Sequence, residues 1–137
     1  MRANDLMTEA PATATEQTSV AEALALLYEL DVRHLPVVRG EELVGIVSDR
    51  DLRGYMAPSD EDALDSIEKA RTSTIGAVMN ASPVRVHPET SALELVDAML
   101  FHRIGAIPVT DMDTGALLGI VSYVDLLTLF RETLDAD

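Results

Sequence analysis

The chain of 137 residues has no cysteine and no tryptophan, only one lysine (Lys69), and just three tyrosines and two phenylalanines. Without cysteine, disulfides and thiolate chemistry are excluded. Basic residues are scarce: ten against 24 acidic ones, for a formal net charge of −14. A surface of that sign argues against a nucleic-acid partner, which is held through cationic contacts to phosphate. It argues equally against docking on anionic membranes. No apolar run approaches the roughly 20 residues of a membrane span, and the N-terminus MRANDLMTEAPAT has no signal-peptide core. A cytoplasmic protein is therefore the expectation. His34, His87 and His102 do not stand at metal-ligand spacing, so no metal site is expected. Nor is there a nucleophile–base set or a glycine-rich phosphate loop, and the chain is read as a non-enzyme with no required cofactor.

What is present is a repeat. Residues 45–51 read GIVSDRD and residues 119–125 read GIVSYVD. At an offset of 72, Met7 meets Met79, Pro11 meets Pro83, Ser19 meets Ser91, and Pro36-Val37 meets Pro108-Val109. A two-residue insertion in the DMDTGA loop shifts the offset to 74, and Gly45-Ile46-Val47-Ser48 then meets Gly119-Ile120-Val121-Ser122. Ordered matches with one insertion in a turn are the signature of internal duplication.

Each copy reads β-α-β-β-α. ATAT at 12–15 and VRVH at 84–87 alternate like short strands. Ser19-Val20-Ala21-Glu22 and Ser91-Ala92-Leu93-Glu94 fit the capping box that opens a helix. Apolar residues then follow at helical spacing. LPVV and IPVT are strands, and LVGIVS and LLGIVS are apolar enough for strands buried on both faces. The stretches DRDLRGYM and YVDLLTLFRETL close the copies as helices. Residues 1–56 and 74–137 are taken as the two domains and 57–73 as a linker. Within it, Pro58-Ser59-Asp60 reads as a turn, and 61–71 as a polar helix with Asp65 four residues before Lys69. A half of this size buries only a marginal core alone, so the expected product is one α/β unit of two packed repeats with approximate two-fold symmetry.

In each copy a Ser stands where a strand meets a helix, with Asp three residues on. Unpaired backbone N–H groups and the helix dipole favour an anion there. The Ser hydroxyl can donate to it, and the carboxylate can accept from vicinal ribose hydroxyls. The same pattern is also a helix cap. Local physics supports both readings.

These features together resemble a tandem pair of cystathionine-β-synthase (CBS) domains, a Bateman module. The resemblance rests on the doubled element order, the Pro-Val strands, the GIVSDRDL and GIVSYVDL endings, and the lead-ins DLMTEAP and AVMNASP. It implies two clefts between the paired domains that take adenosine-containing ligands: AMP, ADP, ATP or S-adenosylmethionine. It implies that Asp51 and Asp125 hold ribose, that Ser48 and Ser122 meet phosphate, and that adenine lies against Thr13-Ala14-Thr15 with 33–36, and Arg85-Val86-His87 with 105–108. Pro36 and Pro108 belong to these stretches. Arg33, His34 and Arg50 then face phosphate in one copy, where Gly105, Ala106 and Val124 stand in the other, with Arg103 as a further candidate. With the halves packed about a two-fold, Arg33 and His34 would serve the cleft of the other motif, and Asp49 would oppose a phosphate if it faced inward. Unequal ligand affinities follow. The resemblance further implies a homodimer through exposed helix faces, to which the apolar residues of 126–130, LLTLF, are suited, and action on a protein target in trans. A pure dimerisation module with empty clefts is the alternative.

Overall fold

The computed structural model describes residues 1–56 and 63–136, and the turn expected at Pro58-Ser59-Asp60 lies outside them. In chain order the elements are α1 (Ala3–Leu6), β1 (Thr8–Glu9), α2 (Val20–Leu30), β2 (His34–Arg39), β3 (Glu42–Ser48), α3 (Asp49–Tyr55) and α4 (Ala63–Thr72). After a 3-10 turn at Ile75–Ala77 come α5 (Ala92–His102), β4 (Ala106–Thr110), β5 (Leu117–Ser122) and α6 (Tyr123–Asp135). They form two compact units. Unit 1 joins Met1–Pro11 to Pro83–Asp137, and unit 2 is Ala12–Ser82.

In unit 2, the Ser19 hydroxyl accepts from the Glu22 N–H at 3.0 Å and starts α2 as the capping motif predicts. Val20, Ala23 and Leu27 then point one face of the helix inward. They pack with Leu35, Val37, Val47, Leu52 and Ile75, all fully buried. Each large side chain so buried contributes roughly 1.5–3 kcal/mol. β2 and β3 form an antiparallel hairpin with Pro36 opposite Ile46 and His34 opposite Ser48. α4 packs on α2, and the Tyr55 hydroxyl, which donates to Ser73 Oγ at 3.0 Å, ties the end of α3 to the end of α4.

Unit 1 repeats the plan. Ser91 Oγ accepts from the Glu94 N–H at 3.1 Å, and Glu94 Oε2 accepts from the Ser91 N–H at 2.9 Å. Leu95 and Met99 of α5 meet Ile107, Val109 and Val121. Both α2 and α5 end on a left-handed residue that is not glycine: Asp31 at φ 52° and Arg103 at φ 55°.

Two expectations change. The strands at 12–15 and 84–87 shrink to single bridging residues. Ala14 and Val86 each bond twice, to Pro36 and Val38 and to Pro108 and Thr110. Turns cut the segments short, with the Thr18 N–H on the Thr15 carbonyl and the Thr90 N–H on the His87 carbonyl. The apolar strands β3 and β5 are not buried on both faces either. In β3 only Leu43, Gly45 and Val47 are buried, and in β5 only Gly119 and Val121, as befits antiparallel pairs with one face inward. It is β4, with all five residues buried, that has both faces covered.

The lead-in segments are exchanged. In unit 1, β1 pairs with β5, Thr8 facing Ile120 and Glu9 facing Gly119. Ala3, fully buried, donates its N–H to the Thr90 carbonyl at 2.7 Å. In unit 2, Asn80 and Ile46 exchange backbone bonds of 3.1 and 2.9 Å, and Ile75 fills the core. The methionines of the lead-ins lie over glycines, Met7 on Gly119 and Met79 on Gly45, with no room for a Cβ.

Candidate functional site

β3 delivers Ser48 to the start of α3. Its Oγ accepts from the Asp51 N–H at 3.0 Å, while Asp51 Oδ2 accepts from the Ser48 N–H at 3.3 Å. The cap reading of the motif is thus realised. It engages one carboxylate oxygen and leaves Asp51 Oδ1 without a protein partner among the described residues. The hairpin register sets His34 across from Ser48. His34 is half-buried, and burial lowers its pKa from 6.5, with the Asp51 carboxylate pulling the other way. The ring is therefore neutral at neutral pH and near a carboxylate. Ala14 donates to the Pro36 carbonyl at 3.0 Å, which lays Thr13, Ala14 and Thr15 along the edge of β2 away from β3.

Asp49 does not stand as a bare charge. Arg53 Nε donates to its Oδ1 at 2.8 Å, and Arg33 Nη1 lies 3.8 Å from its Oδ2. The Asp49 N–H also donates to the Arg33 carbonyl at 2.8 Å. Arg53 escaped the sequence reading, although its place four residues after Asp49 on a helix is the signal that could have found it. Arg50 is exposed. The structure thus gathers Thr13–Thr15, Arg33–Pro36 and Ser48–Asp51 in one unit, with Arg33 and His34 beside the Ser and Asp of their own copy.

The second copy keeps the scaffold and changes the chemistry. The Ser122 N–H donates to Asp125 Oδ2 at 2.8 Å and its hydroxyl lies 3.2 Å from the same oxygen. Ala106 takes the place of His34 opposite Ser122. Gly105 offers its carbonyl to the Tyr123 N–H at 2.9 Å, as Arg33 does to Asp49. Val86 bridges to Pro108 and Thr110, so Arg85, Val86 and His87 run along the edge of β4. His87 Nδ1 accepts from the Glu89 N–H at 3.2 Å. Where the first copy carries Arg33, His34, Asp49, Arg50 and Arg53, the second carries Gly105, Ala106, Tyr123, Val124 and Leu127 at the matching positions. One aspartate is common to both. Among the described residues no group of three His, Asp or Glu could hold a metal ion, and no helix is long and apolar enough to cross a membrane.

The model of the CBS domain matches residues 3–58 and again residues 75–132. The chain belongs to the CBS domain family. A CBS domain-containing protein of Dictyostelium discoideum is 32% identical over 136 residues, 95% of this chain and 91% of its own length. The CBS domain pair of protein MJ0100, solved in complex with 5′-methylthioadenosine and S-adenosyl-L-methionine, is 26% identical with a TM-score of 0.83, over 97% of this chain and 98% of that one. CBSX2 of Arabidopsis thaliana, solved in complex with AMP, is 28% identical with a TM-score of 0.82, over 96% of this chain and 97% of that one. The two CBS repeats read from the sequence, and the mixed α/β fold, are therefore those of a CBS pair.

Proposed function

We propose that this CBS pair is a regulatory module of the cytoplasm that binds an adenosine-containing ligand, AMP, ADP, ATP or S-adenosylmethionine, and acts on a partner protein in trans without catalysis of its own. The observation that carries the reading is the doubled Ser-x-x-Asp turn, each with an aspartate oxygen left open and each in one unit with its strand-edge segment. Asp51 and Asp125 accept from ribose hydroxyls, and Ser48 and Ser122 donate to phosphate. Adenine lies along Thr13–Thr15 with Arg33–Pro36, or Arg85–His87 with Gly105–Pro108. Arg33, Arg50 and His34 add positive or titratable charge to the first copy alone, which favours unequal affinities. The AMP and S-adenosyl-L-methionine complexes of the related pairs support the ligand class.

Isothermal calorimetry against the four ligands tests the proposal. Asp51→Ala and Asp125→Ala should each remove a different binding event, to different extents. A ligand at 100 times its Kd should also stabilise the fold by about 2.7 kcal/mol. A wild-type protein silent to all four ligands, by heat and by thermal shift, would sink the reading. Self-association with silent turns is the second reading, and it draws on the exposed apolar residues of α6.

A further inference from the structure

His34 and Ser48 are direct partners across the β2–β3 hairpin. Side chains so paired lie on one face of the sheet, with Cβ atoms about 4.5–5.5 Å apart. Both residues are half-buried. Ser48 is fixed by its cap, its Oγ accepting from the Asp51 N–H at 3.0 Å. The imidazole, the hydroxyl and the Asp51 carboxylate therefore share one corner of unit 2. Burial holds the ring neutral, and Asp51 is the charge that acts on it. The other charges on the surrounding elements are engaged or turned to solvent. On α3, Asp49 is bonded by Arg53 at 2.8 Å and lies 3.8 Å from Arg33, and Arg50 is exposed. At the far end of the hairpin, Arg39 pairs with Glu16 at 2.6 Å and stands opposite Glu42. α2, which packs on β2, ends in Glu29 and Asp31, both exposed. The segment Thr13–Thr15 carries no charge.

The second copy has the same hairpin with nothing titratable in that place. Ala106 stands opposite Ser122, and Gly105 precedes it. Its own histidine, His87, lies on the strand-edge segment instead, with Nδ1 accepting from the Glu89 N–H at 3.2 Å. Duplication thus kept two Ser-x-x-Asp turns and left an imidazole beside one of them. A phosphate that accepts from Ser48 Oγ brings a charge of about −1.5 to −2 at pH 7 to the neighbouring ring. An anion at such range favours the imidazolium and raises its pKa. The charged ring then has an anion on each side, Asp51 and the phosphate, which offsets the burial that keeps it neutral in the free protein. The sign follows. The free ring holds a proton only below its lowered pKa, and the ring in the complex holds one above that value. Between the two, binding takes up a proton, so affinity is greatest at low pH and falls as pH rises through the pKa of the complex.

We infer that a phosphate-bearing adenosyl ligand enters the Asp51 turn together with a proton, which His34 takes up, and that the Asp125 turn binds its ligand without one. This rests on the ligand reading above and adds to it a coupling between nucleotide occupancy and pH, confined to one copy. Calorimetry with AMP near pH 7, in buffers of high and low ionisation enthalpy, tests it on the full chain. The wild type should give heats that differ between the buffers by the uptake of part of a proton per AMP. His34→Gln should bind AMP with the same heat in both buffers. Asp125→Ala should keep the uptake and Asp51→Ala should lose it. Adenosine, which has the base and ribose without the phosphate, should bind the wild type with no uptake. From about pH 8 to about pH 6.5 the wild type's affinity for AMP should rise, by at most about tenfold per pH unit for one proton, while His34→Gln stays flat. If His34→Gln misfolds, the wild-type imidazole resonances titrated with and without AMP make the same test, and the pKa of His34 should rise when AMP binds. AMP that binds with equal heats and a flat pH profile overturns the inference and leaves the ligand reading standing. So does uptake that persists in His34→Gln or accompanies adenosine, and so does a protein that binds S-adenosylmethionine but no nucleotide. Silence to AMP, ADP, ATP and S-adenosylmethionine alike removes the ligand reading and this inference with it.

Discussion

Replacing Gly119 by Ala should be the most damaging single methyl addition in either sheet. A Cβ there would lie 2.5 Å from Met7 Sδ, 2.8 Å from Met7 Cγ and 2.8 Å from the Thr8 carbonyl oxygen. The thioether can swing away. The carbonyl is backbone and moves only with β1, which is held on β5 by two paired residues. The new methyl therefore lifts β1, or bends β5, and overpacking of this kind costs typically 1–3 kcal/mol. Gly45→Ala meets Met79 Sδ at 2.6 Å but backbone only at 3.0 Å, from Asn80, and should fall near the low end of that range. Gly54→Ala meets nothing within 4 Å in the last turn of α3 and should stabilise by up to about 0.5 kcal/mol through helix propensity, less than in a helix interior. For a chain of this size each kcal/mol moves Tm by roughly 3–5 °C. Thermal and urea unfolding followed by circular dichroism should order the proteins Gly119→Ala, Gly45→Ala, wild type and Gly54→Ala, from least to most stable. A Gly119→Ala protein as stable as wild type, or a Gly45→Ala protein that suffers more, would refute the account of the lead-in contact.

Two further outcomes are expected. Burial lowers the pKa of His34 below 6.5, so the folded state favours the neutral ring. The stability this lends is present above the unfolded pKa of about 6.5 and is lost as pH falls through the folded value. Tm should therefore drop on acidification below about 6.5 more steeply in the wild type than in His34→Gln, and parallel curves would remove His34 as the cause. Arg103→Gly should stabilise by about 1 kcal/mol, because the residue holds φ 55° at the end of α5 and a side chain in that region costs roughly 1–2 kcal/mol. Lower stability on urea titration would mean that the arginine side chain contributes more than its backbone costs.

Much of this was legible because local chemistry decides it. Ser19 and Ser91 are read as caps from a hydroxyl followed three residues later by a carboxylate, and each cap forms within its own turn; at Ser48 a cap was one of two open readings, and it forms too. The closing turns of the two copies were equally plain. Three things were not, and each depends on tertiary placement. Strands at 12–15 and 84–87 have the right alternation, but turns that no periodicity encodes cut them to one residue. Nothing in a repeat says which copy a lead-in will join, since DLMTEAP and AVMNASP offer the same methionine to the same glycine. The stretch LLTLF, read as one apolar surface, is split by the helix. Leu126 and Leu129 are half-buried, whereas Leu127 and Phe130 are exposed. At the candidate site the sequence named the Ser, Asp, Arg and His positions but not how Asp49 is neutralised, because an ion pair of long side chains is a matter of distance.

The exchanged lead-ins give the two units different folding histories. Unit 2 is one continuous stretch, Ala12–Ser82, and can close on itself. Unit 1 needs two stretches with all of unit 2 intervening, and such distant contacts carry a loop-closure cost and fold slowly. Unit 2 can reduce that cost. Ala14 edges β2 and Asn80 edges β3 of the same hairpin, so once folded it holds its two ends about 15 Å apart, three strand spacings. The loop that unit 1 must close between Pro11 and Pro83 is then reduced from a long flexible chain to the span between the ends of a folded unit. Damage to unit 2 should therefore slow the folding of unit 1 without touching any of its contacts, so the first repeat acts as a jig for the second.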